Sequence, residues 1–398
     1  MTSKKKVSST QSVHAGIGKK RPNHTLAPGI AQTATFTFEN TADLERYMRG
    51  EDKDPNREEY GRYSNPTVQE LETRMAVLEG AEDAAGFSSG MAAITHALLT
   101  LTKAGDHVVL FNDCYRRTRQ FVSTTLSRFG VEHTAIPAGD LAALKGSIKP
   151  NTKLVVSESP TNPYLYCCDL KELVATVKAA NPRIRTLVDS TFATPVNCRP
   201  LEFGVDLVFH SATKYLAGHN DVLGGIACGP RHIVSLLRDA RGVLGAVLDP
   251  HAAFLIARGL KTLSLRVERQ NHTALELAKK LEGHPKLDRV FYPLLPSHPS
   301  YAIAKEQMHG GGGVVSFIVK GGRAAASRVV DGAKLAQIAP SLGGVEALIE
   351  QPAIMSYFEL NEEQLRTVGI DPALVRLSVG IEEPQDVIDD ILTALASA

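Results

Sequence analysis

The sequence has no tryptophan, only 6% aromatic residues and no CxxC pair. It contains no apolar run near the ~18 residues of a membrane span, so a spanning helix is excluded. It also lacks charge of one sign: 44 Lys and Arg face 43 Asp and Glu, a net charge of +1. A general nucleic-acid or membrane-surface binder needs a basic excess, and neither class fits. Cys114, Cys167, Cys168, Cys198 and Cys228 are odd in number and unpaired in spacing, which suits reduced cytosolic thiols better than a disulfide scaffold. Met1–Val7 is basic but has no apolar stretch behind it, so we expect neither a secretory signal nor a transit segment, and a cytoplasmic location. What is present is a chain of 398 residues, 43% apolar and 22% charged. Such a composition buries a proper core, and at ~150 residues per domain the length predicts two or three domains.

The first sixty residues read as an arm. Turn formers dominate at Arg21–His24, Ala27–Gly29 and Glu51–Asn56, with one short helix expected near Thr41–Met48. The arm has too little periodic apolar surface for its own core, so it must lie on its own chain or on a neighbour. From Asn65 the pattern changes. Asn65 suits an N-cap and Pro66 the first helical position, with Val68, Leu71, Met75 and Leu78 on one face and Gly80 as the stop. A second helix is expected from Met91 to Leu101. Short apolar runs follow at His107–Phe111, Leu154–Val156, Thr186–Val188 and Asp206–Phe209, separated by helices such as Leu141–Ser147 and Leu170–Ala180. This alternation predicts an α/β fold with a mainly parallel sheet covered on both faces. Beyond Arg258, a long helix at Leu260–Leu281 and strands at Leu287–Phe291, Val314–Val319 and Leu374–Val379 predict a smaller α+β C-terminal domain.

Ligands of such sheets bind beyond the carboxyl ends of the strands. There the sequence places Tyr115, Asn162, Asp189, Ser211, Thr213 and Lys214, while Ser88-Ser89-Gly90 opens a helix. A helix start with free N–H groups suits a phosphate, although alone it is accounted for by an ordinary N-cap. Lys214 lies just past a buried run, between hydroxyls and a Gly-rich segment. A partly desolvated lysine there can form a Schiff base and carry protons, whereas an isolated loop lysine is usually solvated. Asp189 reads either as a cap for the next helix or as a partner that keeps a pyridine nitrogen protonated. Together with Tyr115 as a stacking ring, these groups specify pyridoxal 5′-phosphate. No GxGxxG after a strand, no GxxxxGK[ST] and no HExxH or Cys/His spacing points to a nucleotide or a metal.

Tyr60–Thr67, Ser88–Ala93, Glu158–Pro163, Ser211–Tyr215 and Ser341–Glu346 together resemble the PLP-dependent enzymes of cysteine and methionine metabolism, the trans-sulfuration enzymes, over nearly the whole chain. The resemblance implies a fold type I PLP-dependent transferase assembled as a homotetramer of two active dimers. It divides the chain into an arm at 1–62 reaching the neighbouring subunit, a PLP-binding large domain at 63–258 and a small domain at 259–398. It makes Lys214 the Schiff-base lysine, Asp189 the partner of the ring nitrogen and Tyr115 the stacking ring. Gly90, Met91, Ser211 and Thr213 would hold the phosphate, joined by Tyr60 and Arg62 from the neighbour. Asn162 would touch the cofactor's 3′ oxygen or the substrate. Arg376, on the polar face of the last strand, would clamp the substrate α-carboxylate, with Ser341 steadying it and Lys214.

Within that family, Asp113–Arg119, Pro340 ahead of Ser341, Gln351–Tyr357 and His219–Leu223 resemble the plant-type cystathionine γ-synthases. The expected reaction is γ-replacement of an O-activated homoserine, carrying a phosphate or acyl group, by L-cysteine. Lyases acting on cystathionine or methionine and O-acylhomoserine sulfhydrylases are the alternatives. Arg116 and Arg117 would receive a leaving phosphate, or else pair with surface carboxylates. Arg119 would meet a distal carboxylate of the substrate or the incoming cysteine.

Overall fold

The computed structural model describes residues 6–16, 18, 24–52, 54 and 57–396. The basic start at 1–5 and the turn formers at 21–23, 53, 55 and 56 lie outside the described residues.

The arm begins with a helix the sequence pattern did not announce, α1 (Ser9–His14), closed by a capping box between Ser8 and Gln11. It packs on its own chain. Val7 is buried, its carbonyl accepts from Ser264 Oγ at 3.4 Å, and Lys6 pairs with Glu268 at 2.6 Å. The expected short helix is α2 (Thr41–Met48), capped by Asn40. α3 (Pro66–Glu79) follows expectation, from Asn65, whose side chain accepts from Thr67 N, to Gly80 at φ 73°. Its apolar face is buried as read from the sequence. It also buries Glu72, Arg74 and Glu79, each with a polar partner: Glu72 pairs with Arg241 at 2.8 Å, Arg74 pairs with Glu70 at 2.8 Å and Glu79 contacts the His210 ring at 2.9 Å.

The larger sheet contains seven strands: β1 (Asp83–Phe87), β2 (His107–Phe111), β3 (Glu132–Ile136), β4 (Thr152–Glu158), β5 (Arg185–Asp189), β6 (Leu207–Ser211) and β7 (Gly225–Gly229), in the order β1-β7-β6-β5-β4-β2-β3. From β3 across to β6 the pairings are parallel, and β7 and β1 are antiparallel, so the sheet is mainly parallel. β2 matches its predicted bounds, while β4, β5 and β6 run further toward their C-terminal ends, carrying Glu158, Asp189 and Ser211 into the sheet. β1, β3 and β7 had no expected counterpart. β1 and β7 are built of Gly, Ala and single larger residues, with little β-branched signal. At Gly225 in β7 the smallness is a packing requirement, since a Cβ there would collide with the Ser89 carbonyl. β3 is an edge strand with mostly exposed residues. α4 (Gly90–Leu101) crosses behind β6 and β7, and α5 (Arg116–Gln120) follows β2.

The second sheet contains β8 (Leu287–Phe291), β9 (Val314–Val319), β10 (Gln337–Ile338), β11 (Leu348–Glu350) and β12 (Leu374–Ser378), ordered β10-β11-β12-β9-β8, with its own apolar core. The long helix expected over Leu260–Leu281 is present as Leu263–Leu281, starting three residues later, and a short break separates it from a further helix, Pro250–Leu260. The break is fixed by buried Arg266, which donates to the Gly259 carbonyl at 2.8 Å, to Thr262 Oγ1 at 3.1 Å and to the Tyr215 carbonyl at 2.8 Å. It thereby ties the helix pair to the segment that follows β6.

Asn65 joins two jobs, capping α3 and donating from Nδ2 to the Ala31 carbonyl at 2.8 Å. Asn65→Ala should therefore lower stability by about 1–2 kcal/mol in urea unfolding, with faster proteolysis of the arm; an unchanged midpoint and unchanged arm would refute this.

Candidate active site

A cavity of about 420 Å³ opens beyond the carboxyl ends of β4, β5 and β6 and is closed from the other side by the small domain. One wall is the start of α4. Ser89 caps it, its Oγ accepting from Ala92 N at 3.1 Å, while Gly90 and Met91 line the cavity. The first N–H groups of a helix have no partner within it and sit at its positive end. A Cβ at Gly90 would lie 2.9 Å from Ser211 Cβ, so only glycine lets the helix start come this close to β6. Ser211 and Thr213 line the same wall, though the Thr213 hydroxyl is shared with Gly224, whose N–H donates to it at 3.1 Å. This donor set fits a phosphate.

Asp189 ends β5 inside the cavity. Its Oδ1 accepts from the Thr191 hydroxyl at 2.6 Å and from the Thr191 N–H at 3.0 Å. Burial nevertheless pushes its carboxyl above the usual range. Glu158, opposite Asp189 in the sheet register, is pushed up by burial and by Asp189, and half-buried Asp113 is pushed up to about 6 by desolvation. A buried carboxylate is costly without a counter-charge. A protonated ring nitrogen held beside Asp189 would supply one, and the residues present fit pyridoxal 5′-phosphate.

Lys214 follows β6 and points across the cavity, its Nζ donating to Ser341 Oγ at 2.6 Å. Burial, with Arg376 nearby, pushes its pKa down to about 8. Ser341 holds this position at φ 93°, a backbone conformation that favours glycine. Its carbonyl accepts from Arg376 Nη2 at 2.9 Å, while Arg376 Nη1 donates to Asn162 Oδ1 at 2.9 Å. The polar face expected for the last strand, with Arg376 and Ser378 two residues apart, is buried like the rest of β12. The charge of Arg376 is met by Glu350 on β11, 2.9 Å away.

Tyr115 precedes α5 and lines the cavity, its backbone N–H donating to Glu158 Oε2 at 2.6 Å. Arg116 and Arg117 line the mouth. Arg116 pairs with exposed Glu359 at 2.8 Å and lies over the Tyr357 ring, whereas Arg117 donates to Gln120 Oε1 at 2.7 Å. Arg119 does not line the cavity. Its Nε donates to the Cys114 carbonyl at 2.9 Å and its Nη2 to the Tyr357 hydroxyl at 3.2 Å, a tie between the two domains. Tyr60 and Arg62 also stand away from this chain's cavity: Arg62 lies over Tyr60 and Tyr63 and donates to the Gly242 carbonyl.

Three residues that matter here were missed as site residues. Glu158 lay within a quoted motif, but its grip on Tyr115 depends on the β2–β4 pairing. Glu350 becomes Arg376's neighbour only through the β11–β12 register, and Arg266 reads in sequence as an ordinary helix charge. No helix among the described residues is long and apolar enough to cross a membrane.

The sequence model of the Cys/Met metabolism PLP-dependent enzyme family matches residues 9–396. The chain is 46% identical over 386 residues to "Cystathionine gamma-synthase 1, chloroplastic" of Arabidopsis thaliana, covering 96% of this chain and 68% of that one. It is 41% identical over 393 residues to "L-methionine gamma-lyase" of Fusobacterium nucleatum subsp. nucleatum, covering 98% of each. The crystal structure of metB from Corynebacterium glutamicum matches with a TM-score of 0.90 and 36% identity, over 98% of this chain and 97% of that chain. With the motifs, the fold and these relatives in agreement, the chain belongs to the Cys/Met metabolism family of PLP-dependent enzymes, and its cofactor is pyridoxal 5′-phosphate.

Proposed function

We propose that this enzyme catalyses γ-replacement: an O-activated homoserine and L-cysteine give L,L-cystathionine and the acid of the leaving group. The observation that carries the reading is the convergence of Lys214, Ser341, Arg376 and Asp189 on one cavity with an arginine-lined mouth. The plant relatives named cystathionine gamma-synthase, 46% and 45% identical, support it.

Gly90, Met91, Ser211 and Thr213 would hold the cofactor's phosphate, Asp189 its ring nitrogen and Tyr115 its ring face, with Asn162 alongside and Lys214 as the covalent anchor. When bound, the cofactor supplies an aldehyde for the substrate amino group and a ring that withdraws electron density. Arg376 binds the α-carboxylate with the donors left over from Asn162 and Ser341, its buried Nε among them. Lys214 Nζ, with a pKa brought toward neutrality, takes the proton from Cα. The Ser341 hydroxyl keeps that amine on the substrate's side of the cavity. The same Nζ, with the Tyr115 phenol, moves a proton at Cβ as the γ-substituent departs, and returns protons after the cysteine thiolate has added at Cγ. Closure by the small domain excludes water from the exchange.

Of the two arginines at the mouth, Arg117 is the stronger partner for a leaving phosphate, because its bonded neighbour is a neutral amide and that of Arg116 is a carboxylate. The stance of Tyr60 and Arg62 away from their own cavity supports their delivery to a second copy, in a homotetramer of two active dimers. The division into an arm at 1–62, a cofactor-binding body at 63–258 and a small domain at 259–398 is supported by the two sheets and their separate cores, with Arg258 in a connecting helix.

Mass-spectrometric analysis of the loaded enzyme given O-phospho-, O-acetyl- or O-succinyl-homoserine, with and without cysteine, or cystathionine alone, should detect cystathionine only when cysteine accompanies an activated homoserine. Thiol and 2-oxo acid from cystathionine, with no replacement product, would make the enzyme a lyase. In the same assay Arg117→Ala should raise KM for the phosphate ester about tenfold, leaving acyl esters unaffected, and Arg116→Ala should do less; equal KM values throughout would remove the arginines from leaving-group binding. Lys214→Ala should abolish turnover and leave no pyridoxal attached to the chain after borohydride reduction. Mixed with inactive Arg62→Ala under subunit exchange, it should recover about a quarter of the activity, since half of random pairs each regain one intact site. No recovery despite exchange would place Arg62 outside the neighbour's site.

A further inference from the structure

Arg376 finds its counter-charge across the sheet. β11 and β12 run antiparallel with Glu350 directly opposite Arg376, so both side chains leave the same face. Glu350 is 3% exposed and Arg376 5%, and both line the cavity that contains Lys214. Their 2.9 Å contact is an ion pair without hydrogen-bond alignment: Glu350 Oε1 and Arg376 Nε are both buried with no hydrogen-bond partner among the described residues. The bonds that aim the guanidinium come instead from neutral groups, Asn162 Oδ1 and the Ser341 carbonyl. Glu350 is therefore not needed to orient Arg376. It neutralises it.

We infer, given the carboxylate-binding role proposed for Arg376, that Glu350 is a built-in competitor for that guanidinium, and that a docking substrate carboxylate displaces its charge by having Glu350 take up one proton from solvent. Two carboxylates on one buried cation repel each other, and protonating the resident one leaves a single neutral pairing of Arg376 with the substrate. The charged groups facing Glu350 are Arg376 from β12 and Lys214 from the segment after β6; Arg376 in turn faces Tyr115 and Tyr215. Burial already pushes the Glu350 carboxyl above its ordinary range, against the pull of both cations. An arriving carboxylate pushes in the same direction as burial. The sign follows: where one proton is taken up, affinity for the carboxylate falls about tenfold for each unit of rising pH. Glu350 thus sets the strength of the clamp without touching the reacting carbons.

The test uses the holoenzyme and butanoate, which has a carboxylate but neither amine nor leaving group. Titration calorimetry in two buffers of different ionisation enthalpy, from about pH 6 to about pH 9, counts protons taken up on binding. Glu350→Gln should take up about one proton fewer than the native enzyme, and should bind butanoate about tenfold more tightly at the alkaline end. Lys214 and the cofactor are common to both proteins, so the difference isolates Glu350. Equal proton uptake and equal affinity would overturn the inference. Should Glu350→Gln fail to load cofactor, Glu350→Asp, with its carboxylate drawn back from Arg376, should show tighter binding than the native enzyme; unchanged binding and uptake would overturn it equally. Arg376→Ala separates the underlying reading: if it binds butanoate as tightly as the native enzyme, the carboxylate clamp itself falls.

Discussion

Arg376 is a cation almost removed from water, and the active site is arranged around the need to satisfy it. Its three partners come from three places: Asn162 from the connection after β4, Ser341 from the loop ahead of β11, and Glu350 from β11 itself. Two of these belong to the small domain and one to the large. The guanidinium therefore holds the domains in register at the cavity, and it does so with a group that keeps donors for a ligand. Ser341 extends the chain of contacts to Lys214, so Lys214 and Arg376 are positioned by the same residue. Moving any one of them disturbs the rest.

On the opposite wall the charge balance is reversed. Glu158, buried, and Asp189, half-buried, line this wall at the carboxyl ends of adjacent strands, each disfavoured as an anion by its surroundings. The sheet side presents these acidic groups and the small-domain side the paired Arg376 and Glu350. A ligand carrying a cationic ring on one side and carboxylate on the other completes both halves at once. This polarity, more than any single hydrogen bond, accounts for why the cavity suits an amino acid joined to a pyridine ring.

Much of this was legible before any coordinates. α3 could be delimited because Asn65, Pro66 and Gly80 carry local signals that do not depend on the rest of the fold. Lys214 and Asp189 could be singled out because a parallel sheet gathers its strand ends on one edge. Legibility failed where a residue's meaning depends on what packs against it. β7 is poor in β-formers where the start of α4 lies against Gly225, and β1 where Leu248, Val68 and Glu72 pack on Gly86. The start of the long helix falls three residues later than expected, where Arg266 reaches backbone carbonyls from two separate segments, and no propensity encodes that. The roles of Glu350 and Glu158 come from strand register, and those of Arg119 and Arg116 from the small domain's approach to α5.

The left-handed backbone of Ser341 has an evolutionary side. A side chain in that region costs about 1–2 kcal/mol relative to glycine, so selection for robustness alone would replace the serine. Its hydroxyl is the partner of Lys214 Nζ, and glycine would abolish that contact. Under the function proposed above, position 341 is one where thermostability and turnover pull in opposite directions, and a library screened only for heat resistance would drift toward a sturdier but slower enzyme.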